Sequence, residues 1–400
     1  MTESLPVLRL KRGEERRLRA GHLWVYSNEV DIAATPLKSL APGADVIIED
    51  TRGKALGRAY ANPHSLICAR LYSRQVQQRF DNAFLGKMIA QSVALRDRLF
   101  QQPCYRAVFG ESDLLPGLVI DRFNDTFVIQ SGTAGIDRVL PDIADALDAL
   151  YAPNNIVVKS EGATRGQEAL TDDVRALKGK LEEDVQLTEN GVQFCAPLAQ
   201  GQKTGWFYDH RAARRRIMPL AHDARVLDVF SYCGAWGVLA ATTGASSVTC
   251  LDASERALEY VHRNAELNQV QDRLRTLQAD AASGMKELLS AGEKFDLVIV
   301  DPPAFIKRKK DFKNGLGAYH QINELALRLV ATGGVLVSAS CSMHLGRDQL
   351  LDVLRSSARH HDRYLQVFAS EGQGQDHPVH PAIPETSYLK SWYGRVLMNP

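Results

Sequence analysis

The chain has 400 residues, 45% hydrophobic and 24% charged, with a formal net charge of +1. That composition suits a globular protein of two or three domains and excludes a disordered one, while a charge so close to zero gives no overall reason to expect a polyanionic partner. No apolar run approaches a membrane span, Met1 to Glu15 mixes apolar and charged residues unlike a secretory signal, and the six cysteines include no C-x-x-C pair. The spacing argues against a zinc site and against a disulfide scaffold, and a cytoplasmic location with reduced thiols is expected.

From the N-terminus, the first elements are short strand-like runs. Val46–Ile48, Ala55–Tyr60 and Leu66–Leu71 are separated by turn signals at Pro42-Gly43, Arg52-Gly53 and Asn62-Pro63. They predict a small β-barrel over residues 1–73. Phe84 to Phe100 has helical spacing. Leu118–Ile120, Thr126–Gln130 and Ile156–Lys159 surround a helix near Ile136 to Leu150 and predict a small α/β unit over residues 74–186. From residue 187 onward, strand-like runs alternate with helical stretches. The runs are Arg225–Phe230, Val248–Leu251, Leu274–Gln278, Phe295–Val300 and Val335–Ser338, and Asp311 to Leu329 forms a long helical crossover. This is the rhythm of a doubly wound parallel sheet, so the chain is read as an α/β protein whose C-terminal domain spans 187–400.

In such a sheet, ligands bind beyond the C-terminal strand ends. The first strand of the alternating region enters Ser231-Tyr232-Cys233-Gly234-Ala235-Trp236-Gly237, where glycine lets a ligand approach a helix start. Asp252 ends the next strand, where a carboxylate accepts hydrogen bonds from ribose hydroxyls. Asp280 ends the third, where one could accept from an adenine amino group. A single strand-end aspartate is commonly a helix cap. Three in register (Asp228, Asp252, Asp280), followed by Asp301-Pro302-Pro303-Ala304-Phe305, fit an adenosyl pocket better. Cys341, in Ser340-Cys341-Ser342, follows a buried-type strand, and its thiol and the Asp301 carboxylate would open onto one crevice.

Basic residues cluster at Lys11, Arg12, Arg16, Arg17 and Arg19, at Arg211, Arg214, Arg215 and Arg216, and at Lys307, Arg308, Lys309 and Lys310. Such runs are as often solvated surface as binding sites. The last one adjoins the Asp-Pro-Pro loop, where phosphate contacts would position a nucleic acid.

These segments resemble class I S-adenosylmethionine-dependent methyltransferases, most closely the PUA-domain family of large-subunit (23S) ribosomal RNA cytosine-C5 methyltransferases. The resemblance covers essentially the whole chain. It rests on Gln202-Lys203-Thr204-Gly205-Trp206-Phe207-Tyr208-Asp209-His210-Arg211, Phe230-Ser231-Tyr232-Cys233-Gly234, Asp301-Pro302-Pro303-Ala304-Phe305, Ser340-Cys341-Ser342, and the tail from Asp376-His377-Pro378 to Tyr388-Leu389-Lys390. Gly110 to Leu118 is similar to the family's middle domain. The resemblance implies an N-terminal PUA β-barrel, a small α/β middle domain and a Rossmann-like catalytic domain. It implies S-adenosyl-L-methionine as cofactor, held by Thr204, Phe230, Ser231, Gly234, Asp252, Asp280, Asp301 and Pro302. Cys341 would be the nucleophile, Asp301 would hold the base edge, and Lys307 to Lys310 would contact RNA. The implied partner is large-subunit ribosomal RNA, with a homodimer by family analogy and no membrane. Ala235-Trp236, Tyr208 and His210 depart from the commonest spellings. Two alternatives stay open: methylation of a guanine or adenine nitrogen, which needs no thiol, and a noncatalytic RNA-binding protein of ribosome assembly.

Overall fold

The computed structural model describes residues 5–399 and, within them, every side chain except those of residues 163 and 164. The chain divides into two compact units. The first comprises residues up to Val185 together with Pro197–Trp206 and Gln375–Thr386; the second comprises Gln186–Ala196, Phe207–Gly374 and the segment from Ser387 onward. The sequence reading assigned both inserted segments to the C-terminal domain.

The first unit holds two five-stranded sheets. Val7–Arg9, Ala44–Glu49, Ala55–Ala61, Ile67–Ser73 and Trp24–Tyr26 lie in that spatial order, as expected for the barrel-like part. The second sheet runs Asp173–Lys178, Asn155–Ser160, Thr126–Ser131, Leu118–Phe123 and Cys104–Phe109. Asp81 caps the helix Asn82–Leu99 by accepting from the Phe84 N–H at 3.1 Å. Tyr60 and Tyr72 of the first sheet share one apolar cluster with Leu85, Ile89, Ile120 and Phe127, so the barrel and the α/β part form one core. Asp184–Glu189 and Val192–Pro197 form a hairpin, most of which belongs to the second unit. Its turn residues Asn190 and Gly191 have φ of 52° and 84°, the left-handed pair that an Asn-Gly turn supplies.

The second unit carries the doubly wound sheet. Its strands are β1 (Arg225–Val229), β2 (Ser247–Asp252), β3 (Leu274–Gln278), β4 (Phe295–Val300), β5 (Val330–Ser340), β6 (Arg363–Glu371) and β7 (Lys390–Met398). The helices are α1 (Arg211–Ala221), α2 (Ala235–Thr242), α3 (Glu255–Leu267), α4 (Ala281–Ser290), α5 (Phe312–Leu329) and α6 (Arg347–Arg359). The spatial order of the seven strands is β3-β2-β1-β4-β5-β7-β6. β1 to β5 are parallel, and β7 is antiparallel to both neighbours. Leu227, Val229, Leu251, Val298, Val300 and Leu336 are fully buried, which is why these strands read as unbroken apolar runs. The order reverses between β1 and β4, and that is where a doubly wound sheet opens its ligand crevice. No helix among the described residues is long and apolar enough to cross a membrane.

Candidate active site

The turn after β1 is strained in a way that serves ligand approach. Phe230 and Tyr232 have φ of 64° and 48°, a region that non-glycine side chains rarely occupy, and Gly234 follows at 77°. Gly237, one helical turn into α2, cannot be replaced cheaply, because a Cβ there would stand 2.5 Å from Cys250 Sγ. The backbone therefore leaves β1 tightly wound, with α2 seated on β2.

Three carboxylates mark this side of the crevice. Asp228 accepts from the Gly237 N–H at 2.9 Å, while its other oxygen is buried without a partner. Burial, reinforced by the nearby charges of Asp301 and Asp252, pushes its carboxyl up to about 7. Asp252 accepts from Tyr232 N–H and Ser254 N–H, both at 2.9 Å. Asp280 is exposed and caps α4, accepting from Ala282 and Ser283 N–H at 3.1 and 3.2 Å. Both Asp252 and Asp280 are thus engaged with backbone donors, yet each ionised oxygen retains capacity for a further bond. Ser231 Oγ is buried and unpartnered. An open hydroxyl acceptor beside clustered carboxylates suits a ligand carrying hydroxyls and positive charge. S-adenosyl-L-methionine, with its ribose, amino group and sulfonium, has that chemistry.

The other side is built from β4 and β5. Val300 pairs with Ser338, so Asp301 and Cys341 leave neighbouring strands at the same sheet edge. Asp301 is held from two directions: His210 Nε2 lies 3.2 Å from Oδ1, and Trp236 Nε1 donates to Oδ2 at 3.1 Å. The two aromatic rings meet edge to face, with centroids 5.8 Å apart. Pro302 is buried behind Asp301. Cys341 is half-buried and flanked by serines. The Tyr319 hydroxyl bonds to Ser340 Oγ at 2.7 Å and to Ser342 Oγ at 2.8 Å, while Ile306 N–H donates to Ser342 Oγ at 3.2 Å. On β7, Lys390 pairs with Ser340 in register and donates from Nζ to the Ser342 and Leu345 carbonyls, both at 2.6 Å. Sequence reasoning gave no role to His210, Trp236, Tyr319 or Lys390. His210 and Trp236 were visible only as departures from common spellings.

Thr204 belongs to the first unit. It has no exposed surface, and its hydroxyl donates to Asp121 at 2.5 Å, where Arg106 also pairs. The basic clusters differ from one another. Arg214 is buried, bonding Glu189 at 2.5 Å and the Phe207 carbonyl at 2.6 Å, so it is structural and not a solvated contact. Arg17 and Arg19 pair with Glu29 and Asp50, each at 2.7 Å. Lys307 to Lys310 are all exposed just after the Asp-Pro-Pro loop, and Arg308 pairs with Asp311 at 3.0 Å.

Comparison with known proteins agrees with this geometry. Residues 8–74 match a PUA-like domain, and residues 167–382 match the S-adenosylmethionine-dependent methyltransferase family. Two curated relatives, each named "Ribosomal RNA large subunit methyltransferase I", come from Cronobacter sakazakii and Yersinia pestis. They are 33% and 34% identical over 393 residues, covering 97% of this chain and 98% of theirs. A solved methyltransferase complexed with SAH superimposes with a TM-score of 0.83 at 19% identity, covering 98% of this chain and 100% of its own. A Streptococcus mutans SAM-dependent methyltransferase does so at 0.81, with the same identity and coverage. These two likenesses concern the fold. Together, the glycine turn with its row of strand-end carboxylates and the full-length kinship place the chain in the S-adenosylmethionine-dependent methyltransferase family, with a PUA-like domain at its N-terminus and S-adenosyl-L-methionine as its cofactor.

Proposed function

We propose that this protein methylates C5 of a cytosine in large-subunit ribosomal RNA, with Cys341 as covalent nucleophile, in the cytoplasm. The observation that carries the reading is the thiol itself. It emerges beside Asp301 on an adjacent strand end, in a chain whose full-length relatives are named for ribosomal RNA. Methylation of a ring nitrogen needs no thiol there.

Cytosine C5 is a poor nucleophile. Attack of the Cys341 thiolate on C6 forms a C–S bond and leaves C5 with enamine character. When bound, the cofactor supplies an electrophilic methyl group. Asp301 would grip the N3/N4 edge of the base, since His210 and Trp236 hold its carboxylate in a fixed orientation. Loss of the C5 proton to a base then lets the C–S bond break and regenerates the free cysteine. Phe230, Ser231, Gly234, Asp252 and Asp280, with Asp301 and Pro302 at the rim, would hold the cofactor. Lys307 to Lys310 would contact phosphates beside the target.

RNA carrying 5-fluorocytosine tests the reading, because fluorine blocks the proton loss that releases the enzyme. The wild type should give a covalent RNA–protein band on a denaturing gel. Cys341→Ser should give none and lose turnover, with cofactor affinity unchanged. No band from the wild type, together with an active Cys341→Ser, would move the reaction to a ring or exocyclic nitrogen.

A further inference from the structure

A cysteine attacks as its thiolate, and an ordinary thiol is mostly protonated at neutral pH. Something near Cys341 must favour the charged form if it is to work. The groups around it come from several elements. Tyr319 on α5 supplies a hydroxyl that is engaged with Ser340 and Ser342. Asp301 at the end of β4 is an acid and would oppose a thiolate. His344, three residues past Cys341, is half-buried. Arg347 opens α6 and lies with its guanidinium 4.8 Å from the Trp392 ring centroid. Lys390 on β7 is the buried cation.

Lys390 is unusual in its company. It is 6% exposed, and its ammonium bonds two neutral carbonyls, those of Ser342 and Leu345. Among the described residues no carboxylate pairs with it. The acid that faces it is the Cys341 thiol, and Arg347 acts in the opposite sense. Burying a cation without an anionic partner is costly. A thiolate on the adjoining loop would relieve that cost, and the cation would in turn stabilise the thiolate.

We propose that Lys390 activates Cys341: its ammonium, clamped onto the carbonyls of the cysteine loop, stabilises the thiolate on the neighbouring strand end. The thiol proton leaves to solvent, and the negative sulfur and positive nitrogen remain as a pair. Burial pushes Lys390 down to about 8, with Cys341 pulling the other way, so its charge is retained at neutral pH and lost in mild alkali. Lys390 is a positioning residue in this scheme, acting through the cysteine without touching the base.

The inference rests on Cys341 being the nucleophile, so its test reads the thiol directly. Iodoacetamide alkylation of the full-length protein is followed against pH, with Cys341→Ser as the blank for the other cysteines. The wild type should show an apparent thiol pKa clearly below the ordinary value of about 8.5. Lys390→Met should raise it and slow alkylation at pH 7 by about tenfold or more, the effect of removing one nearby opposite charge. Lys390→Gln serves if the methionine variant does not fold. An ordinary wild-type pKa, or variants with an unchanged profile, overturns the proposal. A purely structural lysine would lower the melting temperature and leave the profile in place. A shifted profile without a fluorocytosine adduct would sink the cytosine reading while keeping the Lys390–Cys341 pair. An adduct with an unshifted profile would do the reverse.

Discussion

The two halves of the crevice are held by different kinds of bond. At the ends of β1, β2 and β3, each acid is anchored by backbone: Asp228 by Gly237 N–H, Asp252 by Tyr232 and Ser254 N–H, Asp280 by Ala282 and Ser283 N–H. At the ends of β4 and β5, the anchors are side chains: His210 and Trp236 for Asp301, Tyr319 and Lys390 for the cysteine loop. Backbone donors persist whatever side chains the turns carry, so the half proposed to hold the cofactor follows from the fold. The half proposed to carry the reaction depends on residue identity and can be retuned by single substitutions.

The largest expected effect lies in the side-chain-anchored half. Asp301→Ala should cut single-turnover methylation by roughly a hundredfold or more, within the range of a lost catalytic side chain. Cofactor affinity should fall less than in Asp252→Ala, because Asp301 stands only at the cofactor's rim. A cofactor Kd weakened as much as turnover would make Asp301 chiefly a cofactor ligand and dissolve the division. The backbone-anchored half should show the opposite signature. Asp252→Ala loses a charge-assisted bond worth roughly 1.5–3 kcal/mol, so cofactor affinity by titration calorimetry should fall about tenfold or more. Asp252→Asn, which keeps an acceptor for the Tyr232 N–H, should recover part of that loss. The mildest effect should come from the exposed run outside both halves. Neutralising Lys307 to Lys310 together should flatten the salt dependence of RNA binding by up to about 0.7 per lost single-strand contact, leaving cofactor binding intact. An unchanged slope would return the run to solvated surface.

The same contrast explains what the sequence made legible. Parallel strands buried on both faces announce themselves as apolar runs, and β1, β2 and β4 were readable from end to end within a residue or so; β3, at the sheet edge and only partly buried, was readable from its place in the strand–helix alternation. β5 was read only from Val335, although it starts at Val330, because Gly333-Gly334 inside it looks like a turn. β7 carries Gly394, where a Cβ would stand 2.5 Å from Leu365, so the glycine serves close packing in a strand whose pattern it interrupts. The strand-end acids and Cys341 stood out because each ends a recognisable run. The His210–Asp301–Trp236 contact joins residues far apart in sequence, and no local pattern encodes it. Nor does any pattern show that Pro197–Trp206 packs with the first unit, where the buried Lys159 ammonium holds the Leu198 carbonyl at 2.5 Å.

Asp228 carries a consequence for turnover. With its carboxyl raised to about 7, it is about half protonated in neutral solution, and the free protein should lose stability as pH climbs from about 4 toward that value, because the unfolded chain ionises first. A positively charged guest would favour the ionised form and expel the proton, whereas its demethylated product, without the sulfonium charge, would not. Calorimetry near pH 7 in two buffers of different ionisation heat should therefore record proton release with the methyl donor and little with the spent one. Discrimination between the two should widen as the solution becomes more alkaline. A carboxyl hidden beneath the glycine turn would then act as a gauge of whether the methyl group has been delivered, easing exchange of the used molecule for a fresh one.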